Sequence, residues 1–285
     1  MIVAVTVLAL VLLVWIGVLL AFAAPLVARW REPVLRYPVL ILESDDWGAG
    51  PLAQSEALNS LSRLLQRIRD SVQRPAVMTL GVVLEVPDGA SIAASGCRTY
   101  HAMTLQDARF ADVRTAMQAG IETGVFVPQL HGQCHYWPPA VMAAAQHNPA
   151  VRDWLINPEP AATEDLPSHL QSRWVDASEL PSRAIAPDLI RQAITAEAAM
   201  YQAIFSCTPA VAVATTFVWN ATVEVAWRGA GVDVVITPGH RATCRDASGQ
   251  PACRDASMLT GDRSLAGQCY LVRDVYFEPV LGHAP

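Results

Sequence analysis

The sequence predicts an α/β fold in which parallel strands alternate with helices. Apolar, strand-like runs alternate with helix-like segments from Val39 onward, which is the pattern of strands joined by crossover helices. The chain has 285 residues, and the part that follows an apolar N-terminal segment suits a single α/β barrel of about 250 residues. Polar residues able to do chemistry follow the predicted strands, where such folds place their sites.

The N-terminal segment, residues 2–24, is almost wholly apolar and is long enough to cross a bilayer as a helix of about 20 residues. We interpret residues 1–28 as a transmembrane anchor, residues 29–37 as a juxtamembrane linker and residues 38–285 as one domain. A cleaved signal peptide is the alternative, but no Lys or Arg precedes the apolar run. Arg29, Arg31 and Arg36 favour a cytoplasmic domain by the positive-inside rule, which large domains can override, so the membrane face stays open.

Composition narrows the choice of partners. The formal net charge is -6, and no Lys/Arg cluster follows the juxtamembrane arginines, so nucleic acid is not expected as the main ligand. The six cysteines are too few and too scattered for a disulfide framework. Cys244 and Cys253 bracket a polar, turn-rich stretch, which a disulfide would close in an exported domain. Two free thiols are the equal alternative.

In the first half of the domain, apolar residues 38–42 predict a strand that ends just before two aspartates. A helix is expected next, because Leu58, Leu61, Leu65, Ile68 and Val72 recur at helical spacing. Residues 76–83 predict the second strand, residues 105–119 a helix, and residues 125–130 the strand that leads into His131.

In the second half, residues 157–186 lack clear periodicity and predict a long surface excursion packed on the domain. A helix is expected over residues 188–205, with Pro187 in its first turn. Residues 210–217 predict a strand, Asn220 the N-cap of a helix through Trp227, and residues 232–237 and 269–275 the last two strands.

Two short segments concentrate the chemistry: Glu43-Ser44-Asp45-Asp46-Trp47-Gly48 and His131-Gly132-Gln133-Cys134-His135. His131 and His135 are four residues apart, so one helical turn would place both imidazoles on the same face. An aspartate with two histidines makes a three-ligand metal set that leaves coordination positions open, as catalytic sites do. Cys134 is interpreted as a buried structural thiol rather than a fourth ligand.

These two segments resemble the first and second motifs of the polysaccharide deacetylase superfamily, the NodB-like carbohydrate esterases. The family motifs are Thr-Phe-Asp-Asp-Gly, at the end of the first strand, and His-Ser/Thr-x-x-His. The resemblance implies a distorted, incomplete (β/α) barrel of the polysaccharide deacetylase type, here preceded by one N-terminal transmembrane helix. It makes residues 38–285 the catalytic domain.

Carried onto this sequence, the resemblance implies that Asp46, His131 and His135 bind a divalent metal ion, usually Zn²⁺. Asp45 would then be the general base. In the family, a histidine in a Leu-x-His motif protonates the leaving amine, and Leu281-Gly282-His283 is the downstream match. His283 is therefore the second catalytic candidate.

This chain departs from the family pattern in three places. Trp47 is inserted before Gly48, Gly132 replaces the hydroxyl residue of the second motif, and the sequence Thr216-Phe217-Val218-Trp219-Asn220 occupies the place of an Arg-x-Pro-Tyr motif. The lost arginine would have set the charge around Asp45. Trp47 and Trp219 are predicted instead to stack on a sugar, and His240 to face the pocket.

The predicted function is a membrane-anchored, metal-dependent deacetylase that acts on the acetyl groups of an amino-sugar polymer or glycan. Two alternatives stay open. One is a hydrolase that uses the same ion and base on a non-sugar C–N bond. The other is a non-catalytic glycan-binding or scaffold protein of an envelope polysaccharide system, which the missing arginine favours and Asp45 opposes.

Overall fold

The structure, a computed structural model, describes residues 2–34, 36 and 39–277. The strands in this part of the chain are β1 Leu42–Gly48, β2 Met78–Val83, β3 Glu85–Pro87, β4 Ala102–Thr104, β5 Phe126–Gly132, β6 Val175–Asp176, β7 Arg183–Ala184, β8 Val211–Val213, β9 Val234–Thr237, β10 His240–Arg245, β11 Pro251–Ser257 and β12 Cys269–Val272. The α-helices are α1 Ile2–Ala21, α2 Ala23–Arg31, α3 Gln54–Arg67, α4 Gly89–Ala94, α5 Ala111–Glu122, α6 Pro138–Ala144, α7 Pro149–Leu155, α8 Pro187–Phe205 and α9 Ala221–Gly229. Short 3₁₀ turns cover Ala108–Phe110, Thr163–Asp165, Ser168–Gln171 and Thr215–Phe217.

A central six-stranded sheet organises the domain. Its strand order is β1-β2-β5-β8-β9-β12, and every neighbouring pair is parallel. The six strands therefore follow one another in the sheet in the same order as along the chain, and helices lie in the connections between them. The predicted α/β class with a parallel sheet is confirmed.

The two outer strands of this sheet approach each other at one end. Arg273, which directly follows β12, donates hydrogen bonds to Glu43 and Asp45 in β1. The sheet must curve for one arginine side chain to span its first and last strands. This curvature brings the polar residues of β1 and of the β12 end to one place.

Buried apolar side chains on the strands and helices build the core. Leu80 and Val82 of β2, Phe126 of β5 and Leu58 of α3 belong to one buried cluster. A Cβ at Gly120 of α5 would overlap the Phe126 ring, so a glycine is needed for this helix to approach the sheet. Close helix-on-sheet packing on this side is thus set by residue size.

A second buried cluster lies under the excursion that the sequence predicts. It joins Tyr136 and Val141 to Leu155 and Leu170. The excursion contains two 3₁₀ turns and the short antiparallel pair β6–β7. It is therefore an ordered layer that packs on the domain.

Several predicted boundaries are corrected. Strand β1 begins at Leu42, where the apolar run was expected to end, because its partner strand begins at Met78 and pairs with Leu42. Helix α3 ends at Arg67, because the Asp70 carboxylate accepts the backbone N–H groups of Val72 and Arg74 and so stabilises a turn instead.

The strand predicted over residues 210–217 is shorter, because Thr216 and Phe217 adopt positive φ angles of 52° and 55° after β8. Such angles end a strand. Asn220 caps α9 as predicted, with its side chain accepting the N–H of Val223 at 3.2 Å.

At the N-terminus, α1 and α2 expose apolar side chains along their length. No single described helix meets the length and hydropathy expected of a membrane span, whereas Val5–Ala21 and Ala23–Arg31, bent by 60°, meet them together. Elsewhere, a disulfide joins Cys244 to Cys253 across the β10–β11 hairpin, which decides between the two alternatives for these cysteines.

Candidate metal and hydrolytic site

The first half of the site is a bulge in β1. The register with β2 shifts between Ser44 and Trp47, and Asp46 adopts a φ of 65°. In a regular strand, adjacent side chains point to opposite faces, so this irregularity re-aims the two aspartates. Gln54 holds the bulge: its amide donates to the carbonyl of Asp46 at 3.0 Å and accepts the N–H of Gly48 at 2.8 Å.

The second half of the site is a loop rather than the expected helical turn. His131 is still in β5, and the chain bends between Gly132 and Trp137 before α6 begins. Gly132 has a φ of 119°, which side-chain-bearing residues rarely adopt. The prediction that a helix aligns the two imidazoles is therefore wrong, but the loop brings them together, with ring centroids 4.9 Å apart.

The three predicted ligands converge. Asp46 Oδ1 lies 3.3 Å from His131 Nε2 and 3.2 Å from His135 Nε2, and one ligand atom from each residue lies within 4.8 Å of the others. Both histidines are buried, and the buried Asp46 Oδ1 has no hydrogen-bond partner among the described residues.

The chemistry of this donor set fits a metal ion. His131 Nδ1 is 3.0 Å from the Val213 carbonyl, so it carries the proton and donates it there. In the neutral ring, Nε2 then presents a lone pair to the anionic Asp46 oxygen. Three electron-rich atoms directed at one point are stabilised by a cation, and one carboxylate with two imidazoles is a common set for Zn²⁺.

The ionisation of the three residues reflects the same demand for positive charge. Burial would raise the pKa of Asp46, but the neighbouring His135 and His131 lower it well below its usual range. Burial lowers the pKa of His131, yet Asp45 and Asp46 raise it to about 9. Burial lowers the pKa of His135 to about 4. In the absence of a metal ion, a proton on His131 therefore balances Asp46.

Asp45 has a different partner, which the sequence did not identify. Arg273 donates from Nη1 to Asp45 Oδ2 at 2.7 Å and from Nη2 to Oδ1 at 2.9 Å. Its Nε donates to Glu43 at 2.9 Å, and the guanidinium lies 5.4 Å from the centre of the Phe217 ring. An arginine thus reaches the candidate base from the end of β12, while the β8 end supplies an aromatic face.

This arrangement keeps Asp45 ionised. Burial would raise the pKa of Asp45, but the charge of His131 and the hydrogen bonds from Arg273 lower it. The pKa of Glu43 is raised by burial despite Arg273. Gly81 leaves room for the Asp45 side chain, because a Cβ at Gly81 would lie 2.5 Å from Asp45 Oδ1.

Buried polar side chains hold the histidine loop from behind. Glu197 of α8 accepts the backbone N–H of Gln133 at 3.1 Å, and Arg173 donates to the side chains of Gln133 and Cys134. Cys134 is fully buried and burial raises its pKa to about 12, as suits the structural thiol that the sequence predicts.

A cavity of about 350 Å³ opens beside Asp46, within the usual range of about 300–1,000 Å³ for ligand pockets. Ala49 and Pro51, which follow β1, line one part of it, and Ala161 and Thr163 from the excursion line another. The excursion, which the sequence predicts to lie on the surface, therefore forms part of this cavity next to the ligand cluster.

The remaining predicted residues are placed as follows. Trp219 is fully buried and donates to Glu224, so it has no free face for a sugar and is corrected to a core residue. Trp47 is half-buried, packs against the core and donates to Ser44 at 2.9 Å. His240 begins β10 and is half-buried. His283 lies outside the described residues.

Arg273, Gln54 and Glu197 are the site residues that sequence reasoning missed. The sequence signal for Arg273 was indirect. The segment Thr216–Asn220 contains no arginine, so a positive partner for Asp45 had to come from another part of the chain. Gln54 and Glu197 read simply as polar positions in helices, and their partners are main-chain groups that a sequence pattern does not reveal.

Comparisons with known proteins give structural similarity alone. No family model and no curated protein matches this chain. It is similar to the deacetylase domain of BpsB from Bordetella bronchiseptica (12% identity, TM-score 0.36, covering 69% of this chain and 62% of that one). It is also similar to a de-N-acetylase from Aggregatibacter actinomycetemcomitans (14%, 0.37, 72% and 65%) and to IcaB from Ammonifex degensii (10%, 0.28, 69% and 83%).

This chain thus spans 62% and 65% of the lengths of the first two structures. At such low identities and TM-scores, its function has to be argued from its own residues.

Proposed function

We propose that this protein is a metal-dependent hydrolase that removes acetyl groups from an amino-sugar polymer or glycan, on a distorted, incomplete (β/α) barrel. The single observation that supports this most is the convergence of Asp46, His131 and His135 with the neighbouring carboxylate of Asp45 left outside the cluster. A pure binding protein has no use for a second carboxylate there.

The reaction needs a polarised carbonyl, an activated water and a protonated leaving group. A divalent ion bound by Asp46, His131 and His135, with Zn²⁺ the best match to these ligands, would supply Lewis acidity to the carbonyl and the water. Asp45 takes the proton of the attacking water as general base. Arg273 orients the Asp45 carboxylate through two hydrogen bonds and fixes its ionised form.

The alternative of a non-catalytic glycan-binding or scaffold protein loses its main support. That alternative was based on the missing arginine, and Arg273 now pairs with Asp45 from another strand. The alternative of a non-sugar C–N bond uses the same residues. An assay that sets acetylated glucosamine oligomers against small cyclic amides separates it from the proposed activity.

The decisive experiment measures bound metal and acetate release in the purified protein. We expect a stoichiometric divalent metal and acetate release in the wild type, no metal and no release in His131→Ala, and retained metal without release in Asp45→Asn. A metal-free, inactive wild type would refute the proposal. Equal glycan binding by wild type and Asp45→Asn without turnover in either would instead support the scaffold.

We also propose that α1 and α2 anchor the domain to a membrane, since their exposed apolar surface needs a cover. Cell fractionation tests this: the full chain should sediment with membranes and require detergent for release. Removal of residues 1–36 should leave the remaining chain in the aqueous fraction.

A further inference from the structure

The excursion contributes a well-anchored wall to the cavity beside Asp46. The Trp154 indole donates to the Ala162 carbonyl at 2.8 Å, and the Gln171 side chain donates to the Glu164 carbonyl at 3.4 Å. These bonds fix the backbone on both sides of Thr163. Glu164 lies in the 3₁₀ turn Thr163–Asp165, and it lines the same cavity as Asp46.

Glu164 is the residue in this cavity that is available to donate a proton. Of the described residues that line it, only Asp46 and Glu164 titrate in the ordinary pH range, and Asp46 is committed to the metal site. The others are small, apolar or amide side chains, such as Ala49 and Val83, and the Gln54 amide already binds the backbone.

Amide hydrolysis requires such a group. An amine leaves as an anion unless its nitrogen is protonated first, so a general acid must stand near it. Asp45 is poorly suited, because both of its oxygens accept from Arg273 and its pKa is lowered. His283 lies outside the described residues.

The surroundings of Glu164 favour its protonated form. The residue is exposed overall, but partial withdrawal of its carboxyl group from water raises its pKa. Its exposure lets the carboxyl group exchange protons with solvent between turnovers.

We propose that Glu164 is the general acid that protonates the leaving nitrogen, an assignment that rests on the proposed deacetylase function. Water adds to the carbonyl carbon as Asp45 takes its proton. Glu164 gives its proton to the nitrogen, the C–N bond breaks with its electron pair passing to nitrogen, and acetic acid and the free amine leave. The proton held by Asp45 and the one lost by acetic acid restore Glu164 and convert the amine to ammonium.

The test compares two substrates in Glu164→Gln. An acetylated glucosamine oligomer has an amine leaving group that needs a proton, whereas 4-nitrophenyl acetate releases a stable phenolate that needs none. We expect Glu164→Gln to lose about 10²–10⁴-fold in kcat on the oligomer, the usual contribution of a general acid, and to keep wild-type turnover of the ester. Because the acid must be protonated, kcat of the wild type on the oligomer should fall as the pH rises through the pKa of Glu164, and this fall should be absent in the variant.

The neighbour Asp165, in the same 3₁₀ turn, provides the matched control, and Asp165→Asn should leave both activities unchanged. Equal losses on both substrates in Glu164→Gln, or full oligomer turnover, would overturn the assignment of Glu164 and leave the deacetylase intact. A wild type inactive on both substrates would overturn the proposed function itself, and the assignment with it.

Discussion

The two adjacent carboxylates of the site, Asp45 and Asp46, have opposite surroundings. On the arginine side, formed by Glu43, Asp45 and Arg273, both oxygens of Asp45 accept hydrogen bonds from one guanidinium. On the imidazole side, formed by Asp46, His131 and His135, the buried Asp46 Oδ1 faces two ring nitrogens and has no hydrogen-bond partner in the described part of the chain.

The difference shows how two adjacent residues of one strand, Asp45 and Asp46, can take different functions. The arginine side contains its own positive charge, so its carboxylate is held in place and does not need a metal ion. Among the described residues, the imidazole side has only the titratable charge of His131, which a bound metal ion would replace. Because the site is largely buried, each carboxylate needs a positive partner, since an unpaired charge away from water is costly.

The largest effect is expected from Arg273→Met, which removes the positive charge of the arginine side. Glu43 and Asp45 would then be left without their ionic partner, and the free energy of unfolding should fall by about 3–5 kcal/mol. Acetate release should be lost, whereas bound metal should remain in the folded protein. Denaturant titration and metal analysis measure the two outcomes.

Arg263→Met is the control for this substitution, because Arg263 is exposed and donates only to the Gly267 carbonyl among the bonds described for it. It should change the free energy of unfolding by less than about 0.5 kcal/mol. Arg273→Lys should fall between the two, since an ammonium group cannot form the bidentate pair. Loss of metal together with stability in folded Arg273→Met would show that the two sides are not separable.

The imidazole side could be predicted from the sequence, whereas of the arginine side only Asp45 could. Asp46, His131 and His135 stand in short motifs whose spacing and residue types indicate metal binding. Arg273 is separated from Asp45 by 228 positions, and it is close only because the sheet curves until β12 approaches β1. No local pattern encodes that curvature.

The local geometry of the imidazole side was also beyond the sequence. The four-residue spacing of the histidines suits a helix, but β5 continues through His131 and the positive φ of Gly132 turns the chain into a loop. Trp219 illustrates the opposite error. An aromatic residue after a strand looks available for a sugar, yet the packing of α9 and its bond to Glu224 bury it completely.

The next largest effect is the pH dependence of metal affinity on the imidazole side. Below a pKa of about 9, His131 carries a proton that a metal ion must displace, whereas His135, with a pKa of about 4, is already neutral. Metal affinity should therefore rise about tenfold per pH unit between roughly pH 6.5 and 8.5. Calorimetry in buffers of different ionisation enthalpy should detect the release of one proton.

The metal-free protein should show the opposite trend in stability. The folded-state pKa of His131 is raised above its ordinary value of 6.5, so its ion pair contributes fully below that pH and is lost as the pH rises through about 9. Metal affinity that is independent of pH would contradict the proton balance of the imidazole side. His131→Ala should abolish both trends.

The smallest predicted effect comes from Gly81→Ala, which tests how closely the position of Asp45 is set. The added Cβ would lie 2.5 Å from Asp45 Oδ1 and 3.2 Å from the Asp45 Cα, so the carboxylate or its strand must shift. Such overpacking costs about 1–3 kcal/mol. Acetate release should fall, because the shifted carboxylate no longer meets both Arg273 and the attacking water, while metal binding by Asp46 persists.

Gly229→Ala is the matched substitution, because a Cβ at Gly229 meets no atom within 4 Å and the residue ends helix α9. Alanine is the better helix former by about 1 kcal/mol, so this variant should be at least as stable as the wild type and equally active. If Gly81→Ala kept full activity despite its clash, Asp45 would not need its exact placement, and its role as the base would be contradicted. If it lost metal as well, the two carboxylates would move as one unit, and the division between the arginine and imidazole sides would fail.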